Sequence, residues 1–391
     1  MYLTTTAQVA RLMDAARTDR RLGIDLEFIR ERTYTPQLAL VQVAVGEQLH
    51  LIDPLGEVDL APILALVGDE SVCKVVHAGS QDLEILEGLA GETPRCIFDT
   101  QIAAAFLGYG QQISYSGLVE SGLGTSLLKG ESYTDWLARP LSDAQERYAI
   151  DDVRYLLPLH DLLTRELEKN ERLSWVEEEF LRYEDRKLYH PPPELLFRKV
   201  KRFGTLDPLG LTVLVELAKW REDEAKQRNR PRRSVITDDV LVEIARKRPS
   251  AIDDLQRMRG FHSRDIKRYG LALLDQVKVG LAVPVDERPR LVRRPKMTPE
   301  AEATTELLTA TMRAISRGER LAAPLVCKAD EIEELVRSYN KGEVDPGEHR
   351  VLSGWRGEVV GEKLLDFLSG KVCLLNDPVA GRPVFRPVDR G

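Results

Sequence analysis

The chain of 391 residues has few cysteines, few aromatic residues and no long apolar run. Its four cysteines (Cys73, Cys96, Cys327 and Cys373) are scattered and form no C-x-x-C pair. That spacing argues against a disulfide framework and against structural zinc, and it suits a reducing cytoplasm. No apolar stretch approaches the ~18 residues that a membrane span requires. The opening MYLTTTAQVARLMDAARTDR has no basic segment followed by an apolar core, so no signal peptide is expected. No G-x-x-x-x-G-K-[ST] loop occurs, which speaks against a P-loop helicase. With 6% aromatic residues, no base-stacking platform stands out beyond what Phe28 or Tyr34 could offer.

What is present is apolar material and charge. At 43% hydrophobic and 30% charged, the chain can build real cores, and its length implies more than one domain. The net charge of −7 hides a split. Residues 1–160 hold 12 Lys+Arg against 23 Asp+Glu, a net of −11, whereas residues 196–270 hold 19 against 11, a net of +8. An acidic block that could attract cations is joined to a basic one that could attract a polyanion.

The first 160 or so residues read as α/β. Alternation places strands at residues 21–28, 37–45 and 48–55, with Gly46-Glu47 as a tight turn between the last two. Further strands are expected at residues 72–78 and 96–100. Thr4–Thr6 could cap a first helix, Ser80 could cap another, and Ser142-Asp143-Ala144-Gln145 is a capping-box pattern. Three antiparallel strands followed by alternating strand and helix predict a mixed sheet with helices on its faces. After Arg186 the strand signal fades. The run YHPPPELL marks a linker, residues 206–280 are helical in pattern, PVDERPRLVRRP reads as a second linker, and a further helical block follows.

Three short elements carry chemistry. In Ile24-Asp25-Leu26-Glu27-Phe28, residues two apart share a strand face, so Asp25 and Glu27 project together. Adjacent carboxylates repel, and a divalent cation offsets that cost. In His77-Ala78-Gly79-Ser80-Gln81-Asp82, Asp82 falls in the first turn of a helix that follows an apolar strand. In Tyr148-Ala149-Ile150-Asp151-Asp152, Tyr148 and Asp152 share a helix face, with Asp151 rotated off that line. Each element alone has an ordinary structural reading. Together they offer four hard oxygen ligands without His or Cys, which suits Mg²⁺ or Mn²⁺. Two such ions about 3.5–4 Å apart could hold both oxygens of an in-line phosphoryl displacement.

These motifs resemble the tyrosine-containing branch of the DEDD superfamily of 3′→5′ exonucleases, close to the ribonuclease D family. GIDLEFIRERTYTPQLALVQVA, VVHAGSQDLEIL and DWLARPLSDAQERYAIDDVRYLLPL carry the likeness. Leu26 stands where that superfamily more often has Thr. The resemblance implies that Asp25, Glu27, Asp82 and Asp152 are metal ligands and that Tyr148 orients or helps deprotonate the attacking water. Residues 206–280 resemble an HRDC domain, and residues 298–375 resemble a second, more divergent one. The implied architecture is an α/β, ribonuclease H-like mixed-sheet exonuclease domain (1–188) followed by two all-α HRDC-type bundles (206–282 and 298–375). The expected linkers are 189–205 and 283–297, and the expected tail is 376–391.

The implied activity is metal-dependent 3′→5′ removal of single nucleotides from RNA, releasing nucleoside 5′-monophosphates. The cofactors would be two Mg²⁺ or Mn²⁺ ions, and the partners tRNA precursors and other structured RNAs with 3′ extensions. A cytoplasmic monomer with no membrane partner is expected. The alternatives are an exonuclease on DNA and an inactive RNA-binding scaffold. Further RNA contacts are expected from His77, Gln81, Arg139, Arg230, Arg232 and Arg233, the last three in the dense basic run RNRPRR.

Overall fold

The computed structural model describes residues 2–127, 134–289, 296–379 and 381–388. Parts of the expected second linker and tail, and Lys129, lie outside them.

The chain opens with a short strand β1 (Tyr2–Leu3) and helix α1 (Thr6–Asp19). Thr5 caps α1 in a reciprocal box with Gln8. Strands β2 (Arg21–Ile29), β3 (Gln37–Val45) and β4 (Gln48–Ile52) form an antiparallel meander. The short helix α2 (Ala61–Leu64) follows. Then β5 (Cys73–Val76), α3 (Ser80–Ala90), β6 (Ile97–Asp99) and α4 (Thr100–Ala105) alternate. The sheet order is β1-β4-β3-β2-β5-β6, with β5 and β6 parallel to β2 and β1 parallel to β4. This is the expected mixed sheet, and β2 lies inside it. The two-residue β1 is too short to show alternation and was not legible.

Helices α5 (Tyr115–Leu123), α6 (Asp143–Arg154), α7 (Leu156–Lys169) and α8 (Leu173–Phe180) complete the nuclease region. Gly23 of β2 permits a close approach of Leu156, at the start of α7, to the sheet. A Cβ there would stand 3.1 Å from the Ala44 Cβ and 3.3 Å from the Leu156 Cβ, tighter than ordinary packing.

The first C-terminal bundle is built on α9 (Pro208–Gln227), α10 (Asp238–Lys247) and α11 (Ser263–Ala282) and has its own core. The expected linker 189–205 carries ordered, packed structure. Pro193–Lys199 is a 3₁₀ turn, and Leu196, Phe197 and Val200 are buried in that bundle's core. The prolines masked the helical signal, but the apolar residues behind them still seek burial. The bundle also touches the nuclease sheet's β2–β3 loop. The Tyr34 hydroxyl donates to Glu222, Arg232 clamps the same carboxylate and stacks over the Tyr34 ring at 4.9 Å, and the Thr35 N–H donates to Asn229 at 3.0 Å.

The last block holds α12 (Pro299–Gly318), α13 (Ala329–Lys341) and α14 (Glu362–Leu368). It is not a free-standing bundle. Leu308, Met312, Leu335 and Val360 belong to the same buried cluster as the nuclease residues Val75, Phe106 and Leu163. Trp355 stacks on Trp175 at 5.2 Å and meets Phe106 edge-on at 5.1 Å. Arg356, 2% exposed, pairs with Glu179 and donates to the Leu325 carbonyl at 3.0 Å. The all-α expectation fails at the end of the chain, where β7 (Val372–Asp377) and β8 (Arg382–Pro387) form an antiparallel hairpin. Pro383 and Pro387 remove ladder donors, which suits a two-stranded ribbon and hid the strand in the sequence.

Trp355 lies 3% exposed where the two regions share one core. Trp355→Ala should therefore cost about 3–5 kcal/mol, read by chemical denaturation. A loss below about 1 kcal/mol would mean that the contact is not a shared core.

Candidate active site

Asp25 and Glu27 lie on β2 beside the bulge between Glu27 and Phe28, while Ile24 and Leu26 are buried on the opposite face. The alternation places both carboxylates under α6. That helix starts with a capping box between Ser142 and Gln145, and Gln145 also donates to Thr134 at 3.1 Å and to the Asp135 carbonyl at 3.3 Å. One turn further on, Tyr148 is hydrogen-bonded to Asp152. Carboxylate oxygens of Asp25, Glu27 and Asp152 all lie within 4.8 Å of one another.

Asp82 stands in the first turn of α3, 8% exposed. It lies outside the 4.8 Å group, but its charge acts on Asp25 and Glu27. The turn leading to it is held from below by Asp99. That carboxylate accepts from the backbone N–H of Ala78 at 3.0 Å, Gly79 at 3.2 Å and Gln101 at 2.9 Å, and from the Tyr183 hydroxyl at 2.7 Å. The cap of α3 is Gly79, not Ser80, whose hydroxyl lies 3.3 Å from that of Tyr183.

The electrostatics follow from burial and crowding. Burial drives Asp25 well above the usual carboxylate range, and the charges of Asp82, Asp152 and Glu27 push the same way. Burial, with Asp152 and Asp82, lifts Glu27 to about 8. Burial and Asp99 lift Asp82 to about 7; burial and Asp151 lift Asp152 to about 7, against the Tyr148 bond. Burial and the same carboxylates hold the Tyr148 phenol above its usual range. Hard oxygen donors that repel one another this strongly fit divalent cations.

Two residues here escaped the sequence. Gln42 pairs in register with Asp25 across β2–β3, is fully buried, and among the described residues has no hydrogen-bond partner on either amide atom. Tyr115 donates to the Asp151 carbonyl at 3.1 Å and accepts from the Tyr155 N–H at 3.0 Å, pinning the α6–α7 junction. Neither spacing nor composition marks them.

Several expected RNA contacts have other work. The His77 ring nitrogens lie 2.9 Å from the Thr100 hydroxyl and 3.1 Å from the Ile113 carbonyl, and the ring meets Tyr115 edge-on. Arg139 clamps Asp53 at 2.5 and 2.8 Å and donates to the carbonyls of Ala39 and Trp136. Arg232 is taken by Glu222 and Tyr34. In each case the polar atoms are engaged within the protein, which gives His77, Arg139 and Arg232 a structural role. Gln81 is exposed and accepts from Arg30 at 3.3 Å. Arg233 is exposed, with Asp238 at 3.7 Å, and Arg230 is exposed.

Residues 1–168 match a family described as 3′-5′ exonuclease, and residues 210–277 match the HRDC domain. The HRDC match ends at residue 277, before the last block. Ribonuclease D of Gluconacetobacter diazotrophicus is 36% identical over 377 residues, covering 96% of this chain and 94% of that one. Ribonuclease D of Escherichia coli is 34% identical over 366 residues, covering 94% and 97%. The crystal structure of Escherichia coli RNase D, an exoribonuclease involved in structured RNA processing, superposes with a TM-score of 0.81 at 33% identity, covering 95% of this chain and 98% of that one.

The raised carboxyls fix a sign. The folded chain keeps protons that the unfolded chain releases near its ordinary carboxylate values, so without cations stability should fall as pH rises from about 4 to about 8. Bound Mg²⁺ favours the ionised forms. The Tm difference between Mg²⁺ and EDTA should therefore widen across that window, in melts at stepped pH. A difference that stays flat would detach these carboxyls from cation binding.

Proposed function

The chain belongs to the ribonuclease D family and is a 3′→5′ exoribonuclease; on that premise we propose that Asp25, Glu27, Asp82, Tyr148 and Asp152 form its catalytic set. The carrying observation is the convergence of Asp25, Glu27 and Asp152 oxygens within 4.8 Å beside a Tyr148–Asp152 hydrogen bond. Asp25, Glu27, Asp82 and Asp152 would hold two Mg²⁺ or Mn²⁺ ions. When bound, such ions supply positive charge to the attacking and leaving oxygens of phosphodiester hydrolysis. The unpaired amide of Gln42 beside Asp25 supports a cleft that is completed by further polar groups.

The chain's own residues then orient the reaction. β2 fixes Asp25 and Glu27, which share one strand face. The capping box and Tyr115 fix both ends of α6, and with them the angle of Tyr148 and Asp152. The Tyr148 hydroxyl, held by Asp152, keeps oxygen lone pairs that can accept from a water in line with the scissile phosphorus. The products would be a nucleoside 5′-monophosphate and an RNA shorter by one nucleotide. Structured RNAs with 3′ extensions, tRNA precursors among them, are the proposed substrates, and Arg230 and Arg233 of the HRDC region are proposed phosphate contacts. A monomer is the proposed working state.

Asp25→Asn and Asp152→Asn should each abolish shortening of a 5′-labelled RNA while leaving RNA binding intact; wild-type rates in either would sink the assignment. Tyr148→Phe should slow kcat by about 10²-fold without shifting the Mg²⁺ requirement. A matched DNA strand and EDTA lanes on the same gel test the substrate class and the cation. Arg230→Ser with Arg233→Ser should lower the salt slope of RNA binding by about 1.5 to 2, and an unchanged slope would return both to the solvated surface.

A further inference from the structure

A cavity of about 660 Å³ lies away from the carboxylates, at the junction of the nuclease region with the last helical block. From the nuclease side it is lined by the turn after α4, including Gly108 and Tyr109. From the other side it is lined by Arg313 and Arg317 of α12 and by Arg320 just beyond it. Among the described residues, no acidic side chain lines it.

We propose that this cavity is an anion site that holds backbone phosphates of the substrate RNA upstream of the scissile end. The proposal rests on the exoribonuclease reading and adds to it a surface outside both the carboxylate cleft and the HRDC-matched region.

Three observations carry it. First, the Arg313, Arg317 and Arg320 side chains are exposed and make no hydrogen bond or ion pair among the described residues. Like charges one helical turn apart repel, so three unpaired guanidiniums around one cavity call for a negative partner. A helix C-terminus attracts cations, which accounts for Arg317 in the last turn. It does not account for Arg313, one turn earlier. The nearest acid in sequence, Glu319, faces Arg172 at 3.7 Å, and Arg172 is anchored on the Phe106 carbonyl at 2.8 Å.

Second, Arg320 is held in place. Its backbone is left-handed, with φ of 55°, and the chain is tied to the nuclease region by the Ala322 N–H donating to the Ala105 carbonyl at 3.1 Å. Gly108, itself at φ of 89°, packs so closely that a Cβ would stand 3.0 Å from the Arg320 Cβ. A long cation pinned at its base is pre-organised for a ligand.

Third, the ligand chemistry fits RNA. Guanidinium forks match phosphate oxygens, and the half-buried Tyr109 offers a ring on which a base can stack. Gly110 is five residues from Tyr115, a reach of at most about 18 Å of extended chain. Since Tyr115 braces α6, one strand can span both places.

The test uses the full chain carrying Arg313→Ser, Arg317→Ser and Arg320→Ser together. Turnover is measured with Mg²⁺ on a dinucleotide, too short to reach the cavity, and on a long single-stranded RNA. The expected result is a KM for the long RNA raised on the order of tenfold, a salt slope reduced by about 2, and unchanged kcat on both substrates. Dinucleotide KM should not move. Arg→Lys at all three positions should recover most of the loss. An unchanged KM on long RNA overturns the proposal, as does an equal loss on the dinucleotide. If the triple variant melts early, Arg313→Ser and Tyr109→Leu are read singly, by fluorescence titration of labelled RNA onto Asp25→Asn protein. No binding loss in either overturns the proposal too. Tighter retention of a free nucleoside monophosphate than of RNA at the cavity would replace the strand with the product and also overturn it. Failure of the wild-type protein to shorten any RNA would instead strike the exoribonuclease reading, and the titration keeps the two failures apart.

Discussion

Mutual repulsion among buried carboxylates is the constraint around which the nuclease region is arranged. Asp25 sits where burial and three acids all disfavour its charge. A flexible frame would relieve that repulsion by letting the side chains part. This frame does not. Asp25 and Glu27 are on an inner strand of the sheet, and Gly23 on the same strand lets Leu156, at the start of α7, come down onto it. Tyr115 holds the far end of α6, and the carboxylate of Asp99 holds the turn before Asp82. The strain is kept local so that cations can discharge it.

The same logic extends to the last block. Nuclease and C-terminal apolar residues form one cluster, with the Trp175–Trp355 stack and the Arg356–Glu179 pair at the seam. A buried ion pair is weak evidence for stability, because desolvation offsets its attraction. Arg356 also lies over the Trp355 ring at 4.2 Å, so the pair and the stack meet at one point of the seam. The HRDC-matched bundle is different. It keeps its own core and meets the nuclease through a polar contact at Tyr34 and Thr35. Polar contacts of that kind suit a surface that adjusts to ligand more readily than a shared core does.

Much of this was legible in the sequence where local pattern dominates. The alternation in 21–28 and 37–45 gave the strands, and the Ser142 box gave the start of α6. The pairing of Tyr148 with Asp152 followed from helical spacing. What was not legible depends on distant partners. Arg139 reads as a free cation until the fold brings Asp53 to it from 86 residues away. Arg232 reads as part of a basic run until Glu222 and Tyr34 claim it. Gln42 looks like any strand residue until β3 sets it opposite Asp25. The hairpin at the C-terminus was hidden by its prolines, and the joint core by the fact that an amphipathic helix does not name its partner.

Charge ties these pieces together. A nuclease region with a net of −11 over residues 1–160 repels the polyanion it must cut. Cations held in the cleft would neutralise only the few acids they touch, and the Debye length of about 8 Å at physiological salt would keep their influence local. Attraction over the rest of the strand has to come from surfaces beyond the cleft. The basic block supplies part of it, but ion pairs within the protein consume many of its arginines, Arg221, Arg228 and Arg232 among them. Net charge therefore overstates what RNA can use. Unpaired guanidiniums are the better measure, and on that measure the junction beside Tyr109 carries more weight than its sequence neighbourhood suggests.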